Sequence, residues 1–304
     1  MKKVIIIGAG PAGCYLGQLL VQAGFHCLLI EEDSSVGHPV RCAGILGRGV
    51  FEILRLKISS KAIVNEIDGA LIHYKDKQFS LKRKGVAFLV DRAVFDQTLA
   101  DGLEIKLNTC FSELKPQDSG YLVVASGRNY WAEVVRIGAM GRAPKEQIQQ
   151  FLEERNIKGE LLGETGGVIP IGLVPTVKGN IALLGDAAAQ VKPLSGGGVF
   201  YGLRCAEILA DCLIRNNLKK YDSTWKNQFG REIFLGLKAR QIFGKLSLWV
   251  TDELFEILVE ESGKIEAGAD FELHSTAFIA LLHNQKFRRV IWPILWEFLK
   301  TIWG

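Results

Sequence analysis

"KKVIIIGAGPAGCYLGQLLVQAGFHCLLIEED", residues Lys2 to Asp33, is the stretch that decides the fold. Val4 to Ile7 is an unbroken apolar run, as expected of a strand buried on both faces of a parallel sheet. Gly8, Gly10 and Gly13 follow with G-x-G-x-x-G spacing and enclose Pro11 and Ala12. In such a loop the first glycine permits a tight turn and the second lets backbone approach a pyrophosphate. The third lets the next helix press against the strand. Leu16, Leu19, Leu20 and Ala23 then recur on one helical face, and Gly24 ends the helix. The free amides and dipole at such a helix N-terminus attract phosphate. A second strand, Cys27 to Ile30, ends in Glu31, about 20 residues beyond the glycines, where a carboxylate accepts hydrogen bonds from ribose hydroxyls. The ordered set of strand, turn, helix, strand and acid predicts a βαβ unit wrapped on a dinucleotide. An incidental glycine turn leaves the acid unexplained. His26 and Cys27 are expected to be packing residues.

The 304-residue chain is long enough for one large domain or two intimate ones. A hydrophobic share of 48% with 23% charge indicates a packed core rather than disorder. The net charge of +4 suits an anionic cofactor or membrane surface and is too small to mark a nucleic-acid binder. The six cysteines include no C-x-x-C pair, and no cysteine–histidine cluster has zinc spacing. The expectation is a reduced, cytoplasmic, metal-free protein. The N-terminal apolar run is too short for a signal peptide. No apolar stretch approaches the roughly 18 residues that span a bilayer.

A second informative stretch is "GDAAAQVKPLSGGG", Gly185 to Gly198. It follows an apolar run, Ile181 to Leu184, read as a buried strand. An acid, several tiny residues, a proline and a glycine triplet let backbone come very close to a ligand. Three more segments complete a pattern: "HPVRCAGIL" from His38, "FLVDRAVFDQTLA" from Phe88 and "VVRIGAMGRAP" from Val134. In this order the segments resemble the FAD-dependent geranylgeranyl reductase family, within the wider aromatic-hydroxylase-like flavoproteins. The resemblance covers roughly residues 1–142 and 166–260.

The resemblance implies an α/β fold: a Rossmann-like FAD-binding domain of the GR2/aromatic-hydroxylase type, a reduced β-sheet substrate domain and a helical C-terminal region. The FAD-binding domain is expected over 1–60, 86–142 and 166–215, the reduced substrate or cap region over 61–85 and 143–165, and the helical region over 216–304. It further implies that Asp186, after Gly185, hydrogen-bonds the ribityl chain of FAD. Pro193, Gly196, Gly197 and Gly198 then lie along the isoalloxazine edge. A helix starting near Gly198 presents N–H groups toward the flavin pyrimidine edge and favours the reduced ring. Ser195 is expected to cap that helix or donate to the flavin. Arg41 and Arg92 are expected beside the pyrophosphate or adenosine, because a guanidinium fork matches phosphate oxygens. Asp91 and Asp96 read as turn and cap residues. Cys42, in the setting Cys42-Ala43-Gly44, is the candidate catalytic residue. In the resembling reductases a cysteine so placed lies near the flavin and delivers a proton to an alkene carbon, while the flavin delivers hydride.

The chain departs from that pattern twice. Ala139-Met140-Gly141 stands where an A-D-G turn carries an acid. After Arg142 only a short connector, read as a helix with Ile148, Phe151 and Leu152 on one side, replaces a long substrate-domain segment and its aromatic motif. Residues 65–85 still read as a hairpin, with alternation at Ala70, Ile72 and Tyr74. From Val199 onward the pattern is helical, with Cys205 and Cys212 as packing residues. The tail 287–304 repeats apolar residues at helical spacing beside Trp292, Trp296 and Trp303. It is read as a helix docked on the protein's own core or a second subunit, with peripheral membrane contact as the alternative.

The function implied is an FAD-dependent oxidoreductase that reduces isoprenoid C=C bonds of a prenyl lipid or another apolar small molecule. The electron donor, NAD(P)H or ferredoxin-type, stays open. Two alternatives share the scaffold: an FAD-dependent monooxygenase, and an FAD-binding protein of reduced catalytic capacity that acts through association.

Overall fold

β1 (Lys3–Ile7) and β2 (His26–Ile30) run parallel, joined by α1 (Pro11–Gln22), as the N-terminal pattern predicts. These elements belong to a computed structural model that describes residues 2–40, 42–54, 60–117, 120–125, 144–154, 168–244, 246–268, 270–282 and 284–292. The register pairs Lys3 with His26 and Ile7 with Ile30, so both strands end at the same level. β6 (Glu104–Lys106) extends this parallel sheet beyond β2. Cys27 is buried. His26 is not a packing residue: it sits at the exposed strand start and pairs with Glu104 at 3.1 Å.

β3 (Ile45–Gly47) leads into α2 (Arg48–Ile53). β4 (Ile63–Tyr74) and β5 (Lys77–Val90) form a long antiparallel hairpin, with β3 on the other edge of β5. The hairpin turns through Lys75, which takes the left-handed conformation at φ 54°. Ile72 and Tyr74 are half-buried, while Ala70 is exposed. α3 (Arg92–Ala100) follows, and Asp91 caps it by accepting from Val94 N at 3.1 Å. β7 (Phe111–Gln117) and β8 (Gly120–Ala125) make a further hairpin. α4 (Pro144–Glu154) is the helix expected in the connector, with Ile148 and Leu152 half-buried. The rest of the connector and the Ala139-Met140-Gly141 turn lie outside the described residues.

The expected buried strand 181–184 is corrected. Only Ile181–Ala182 forms a ladder, β10, and it pairs antiparallel with β9 (Val177–Lys178). The chain reverses through Gly179 at φ +59°, so the segment is a small hairpin and Leu183 is exposed. A Lys-Gly-Asn turn signal precedes the apolar run and outweighs it.

α5 (Val199–Ile214) crosses α1 and contributes Tyr201, Leu203, Cys205, Ala206, Leu209, Ala210 and Cys212 to the main core. Leu20, Leu29, Leu203, Cys205 and Cys212 are buried there. Full burial of a leucine contributes on the order of 1.5–3 kcal/mol, so Leu20 and Leu203 help hold α5 against α1. α6 (Tyr221–Trp225), a π-helical turn and α7 (Arg231–Phe243) continue the chain, followed by α8 (Leu248–Glu260), α9 (Ser262–Gly268), α10 (Ser275–Leu281) and α11 (285–292). α8 to α11 form a second core around Leu254, Ile257, Ile265, Leu281, Phe287 and Ile291. That core docks on the β4–β5 hairpin, where Phe255 packs on Tyr74 and Phe79 and Lys75 pairs with Asp252 at 2.6 Å. The start of the C-terminal tail therefore faces inward through Phe287 and Ile291, while Trp292 is exposed. Residues 293–304 lie outside the described residues. Among the described residues no helix is long and apolar enough to cross a membrane.

Candidate functional site

The glycine loop takes the shape its spacing demands. Gly8 has φ +93°, and its N–H donates to Ile30 O at 2.8 Å, tying the turn to β2. A Cβ on Gly13 would collide with the Gly8 carbonyl oxygen and lie 3.3 Å from Ile6 Cγ2, so only glycine lets α1 sit on β1. Gly10 differs. Its backbone is extended at φ −71°, and a Cβ there would meet no protein atom within 4 Å. Its open side faces the cavity described below. α1 starts at Pro11 and has no side-chain cap, which leaves its N-terminus available to an anion. Glu31 braces the loop from behind, accepting from Ala9 N at 2.6 Å and from Asp33 N at 3.1 Å. A carboxylate oxygen has a further lone pair for each such bond, so these bonds leave capacity for a ribose hydroxyl.

A second helix N-terminus reaches the same place. Gly185 (φ +64°) opens a short 3-10 turn, Gly185–Ala188, that ends with Ala189 in the left-handed conformation. The side chain of buried Gln190 holds this turn: its Oε1 accepts from Gly185 N at 2.8 Å and its Nε2 donates to Tyr221 OH at 2.9 Å. α5 begins after Gly198, again without a side-chain cap, so Ser195 does not cap it. A Cβ on Gly198 would come within 2.7 Å of Asp186 Oδ1. Glycine there leaves room for a carboxylate at the helix N-terminus. A Cβ on Gly202 would touch Ala12 Cβ at 3.1 Å, and one on Gly185 would touch it at 3.3 Å. Small residues at this crossing let the two helix starts converge. Burial raises the Asp186 carboxyl above its ordinary value, and the Arg92 guanidinium partly offsets the rise.

A cavity of about 1710 Å³ joins these parts. It is lined by Gly8, Gly10, Pro11, Ala12, Gly13, Glu31, Cys42, Arg92, Gly185, Asp186, Gly196, Gly197 and Gly198. Two expected residues stand apart. Pro193 packs its ring against Gly236 of α7, and its carbonyl accepts from Arg240 Nη1 at 3.0 Å. Ala43 is not among the lining residues. Arg41 lies outside the described residues.

Arg92 does more than the sequence suggests. It forms a two-point pair with Asp96, Nε to Oδ1 at 3.0 Å and Nη2 to Oδ2 at 2.9 Å, with both side chains largely buried. Asp96 is therefore not a turn or cap residue but the partner of a cavity-lining cation. Burial raises its carboxyl, and Arg92 pulls it back only in part. Arg92 also hydrogen-bonds Cys42, whose Sγ accepts from Gly44 N at 3.4 Å. The candidate proton donor is thus held at the cavity wall by a fixed guanidinium. Among the lining residues that the sequence does not mark as candidates are Lys192, Phe271 and Glu272. Lys192 Nζ pairs with Glu272 Oε2 at 2.7 Å and donates to Phe271 O at 3.0 Å. The one available signal was a lysine inside a loop otherwise built of small residues. Among the described residues no group of three or more His, Cys, Asp or Glu side chains could hold a metal ion.

Residues 1–73 match the FAD-binding domain family. An uncharacterised protein of Methanocaldococcus jannaschii is 27% identical, covering 84% of this chain and 87% of that protein. That alignment spans 344 positions, more than the 304 residues of this chain, so the relative carries segments without counterpart here. A protein of Methanococcoides burtonii named digeranylgeranylglycerophospholipid reductase 1 is 24% identical over 80% of this chain and 84% of that protein. Among solved structures, a geranylgeranyl bacteriochlorophyll reductase-like protein of Thermoplasma acidophilum superposes with a TM-score of 0.73. It is 18% identical and the match covers 97% of this chain and 99% of that one, which establishes a shared fold. The glycine cradle, the two uncapped helix starts and the matched family agree on FAD as the cofactor.

Proposed function

We propose that this chain, an FAD-dependent oxidoreductase resembling the geranylgeranyl reductases, saturates isolated C=C bonds in the prenyl chains of a lipid. The observation that carries the reading is the make-up of the cavity wall. Beside the glycine loop, Asp186 and Cys42, it includes the apolar side chains of Val40, Leu46, Val50 and Phe200. The cavity's volume exceeds the roughly 300–1,000 Å³ typical of a small-ligand pocket, as an extended dinucleotide requires. The relatives named as reductases of digeranylgeranyl phospholipids support the same chemistry and favour it over hydroxylation.

FAD, when bound, supplies the hydride. The rest falls to the protein. Gly8, Gly10 and Gly13 admit the pyrophosphate, and the start of α1 neutralises its charge. Glu31 orients the ribose, and Asp186 holds the ribityl hydroxyls. Arg92, fixed by Asp96, positions Cys42 at the wall so that its thiol protonates the second alkene carbon. Apolar side chains keep water from that carbon.

The test is anaerobic. Enzyme reduced with dithionite is mixed with micelles of a digeranylgeranyl phospholipid, and the lipid is read by mass spectrometry. A gain of one H₂ per reduced bond is expected, with flavin reoxidised in the same ratio. Cys42→Ala should slow turnover by on the order of 10²-fold without changing the flavin spectrum. Fully reduced enzyme that leaves prenyl lipids of every chain length unchanged overturns the proposal.

A further inference from the structure

The residue pair that the mechanism leaves unused is Lys192 and Glu272. Both side chains are about 7% exposed, yet both line the cavity. Lys192 opens the small-residue loop that precedes α5. Its N–H donates to Gly197 O at 3.0 Å, and its carbonyl accepts from Gly196 N at 2.8 Å, which closes the loop on itself. The side chain runs beneath Gly197: a Cβ there would lie 3.2 Å from Lys192 Cε and 3.7 Å from Nζ. The charge is thus held under the glycines whose backbone opens α5. Lys192 Nζ sits over the Phe271 ring, 4.6 Å from the centroid.

Glu272 arrives from the turn before α10 and is seated deliberately. Asp270 Oδ1 accepts from Glu272 N at 2.7 Å and Leu273 N at 3.0 Å, and Tyr201 OH donates to Glu272 O at 3.3 Å. Its carboxylate fills a notch made by two glycines. A Cβ on Gly47 would collide with Oε1, and one on Gly49 would lie 3.3 Å from Cγ. Oε2 has the Lys192 pairing, whereas buried Oε1 faces no donor among the described residues. A buried ion pair is a poor device for stability, because desolvation cancels most of the attraction. Its placement beside a redox cofactor's loop calls for another role.

We propose that Lys192 tunes the flavin electrostatically: its charge under Gly197 favours the reduced ring, and Glu272 limits how much of that charge the ring feels. The proposal rests on the reading that the isoalloxazine lies along residues 196–198. Reduction brings in two electrons and one proton, so the ring gains one negative charge. A cation near it favours that form, and the effect is strong where water is excluded.

The experiment is a redox titration of FAD-loaded protein, with xanthine and xanthine oxidase as the reductant and a reference dye. Glu272→Gln leaves Lys192 uncompensated and should shift the equilibrium toward reduced flavin about tenfold, about 30 mV less negative for a two-electron couple. Lys192→Met/Glu272→Gln removes both buried charges and should lie more negative than wild type. Lys192→Arg should stay close to wild type. A merely structural pair moves no potential, or moves all variants the same way, and either result overturns the proposal. If Glu272→Gln does not fold, the double variant decides alone: a potential at or above wild type refutes the idea. Protein that folds but binds no FAD defeats the cofactor reading itself, and a bound flavin with unchanged potentials defeats only this proposal.

Discussion

Gly10→Ala and Gly13→Ala separate the two jobs of the glycine loop. At Gly10 the backbone is extended, and an added methyl meets no protein atom within 4 Å. The cost without cofactor is that of alanine at a helix N-cap, about 0.5–1 kcal/mol. For a chain of this size that lowers Tm by roughly 1–2 °C. The methyl points into the cavity, however, at the point where backbone meets pyrophosphate. A loss of affinity on the order of 100-fold, ~2.7 kcal/mol, follows. With FAD at about 100 times the wild-type Kd, binding stabilises wild type by ~2.7 kcal/mol, or roughly 4–5 °C. The same FAD concentration stabilises Gly10→Ala by only ~0.4 kcal/mol. At Gly13 the methyl strikes the Gly8 carbonyl, and α1 must back away from β1. Overpacking of this kind costs about 1–3 kcal/mol and should lower Tm before any FAD is added. Thermal melts with and without FAD, and flavin fluorescence titrations, read both effects. The reasoning fails if Gly10→Ala takes up FAD as wild type does, or if it melts as early as Gly13→Ala without cofactor.

Asp186→Asn tests the buried carboxylate. Its folded-state pKa is raised above the ordinary 3.8, so its stabilising share is full below that value and is lost as pH rises through the folded value. Cofactor-free Asp186→Asn should therefore melt above wild type at neutral pH, with the gap closing on acidification, while FAD affinity falls; a pH-independent gap contradicts the assignment. Asp96→Ala strands the buried Arg92 guanidinium and should cost ~3–5 kcal/mol in urea unfolding, against a smaller loss for Asp96→Asn. Thr176→Val removes the acceptor of Trp225 Nε1 at 2.8 Å and should cost ~1–3 kcal/mol, with the bound-flavin spectrum unchanged.

The N-terminal unit was legible because every reason for it is local. A strand, its glycines, a helix and an acid occupy thirty-odd consecutive residues, and sterics within that window force the turn. Gly185, Asp186 and the start of α5 were legible for the same reason. The small hairpin at 177–182 was misjudged because an apolar run signals burial without naming a ladder partner. Asp96 reads as a turn or cap residue because nothing nearby in the chain reveals that α3 buries its Arg92 side.

By itself the sequence determined the dinucleotide cradle, the cofactor class and the helical character of the C-terminal third, since short-range periodicity and glycine sterics carry those. Only the tertiary structure decided which charges face the cavity. Lys192 and Phe271 lie 79 positions apart and meet because the segment before α10 packs on α5 through Tyr201, and Glu272 fits only because Gly47 and Gly49 leave it a notch. Such contacts depend on how distant segments pack, and packing is a property of the assembled chain rather than of any window within it.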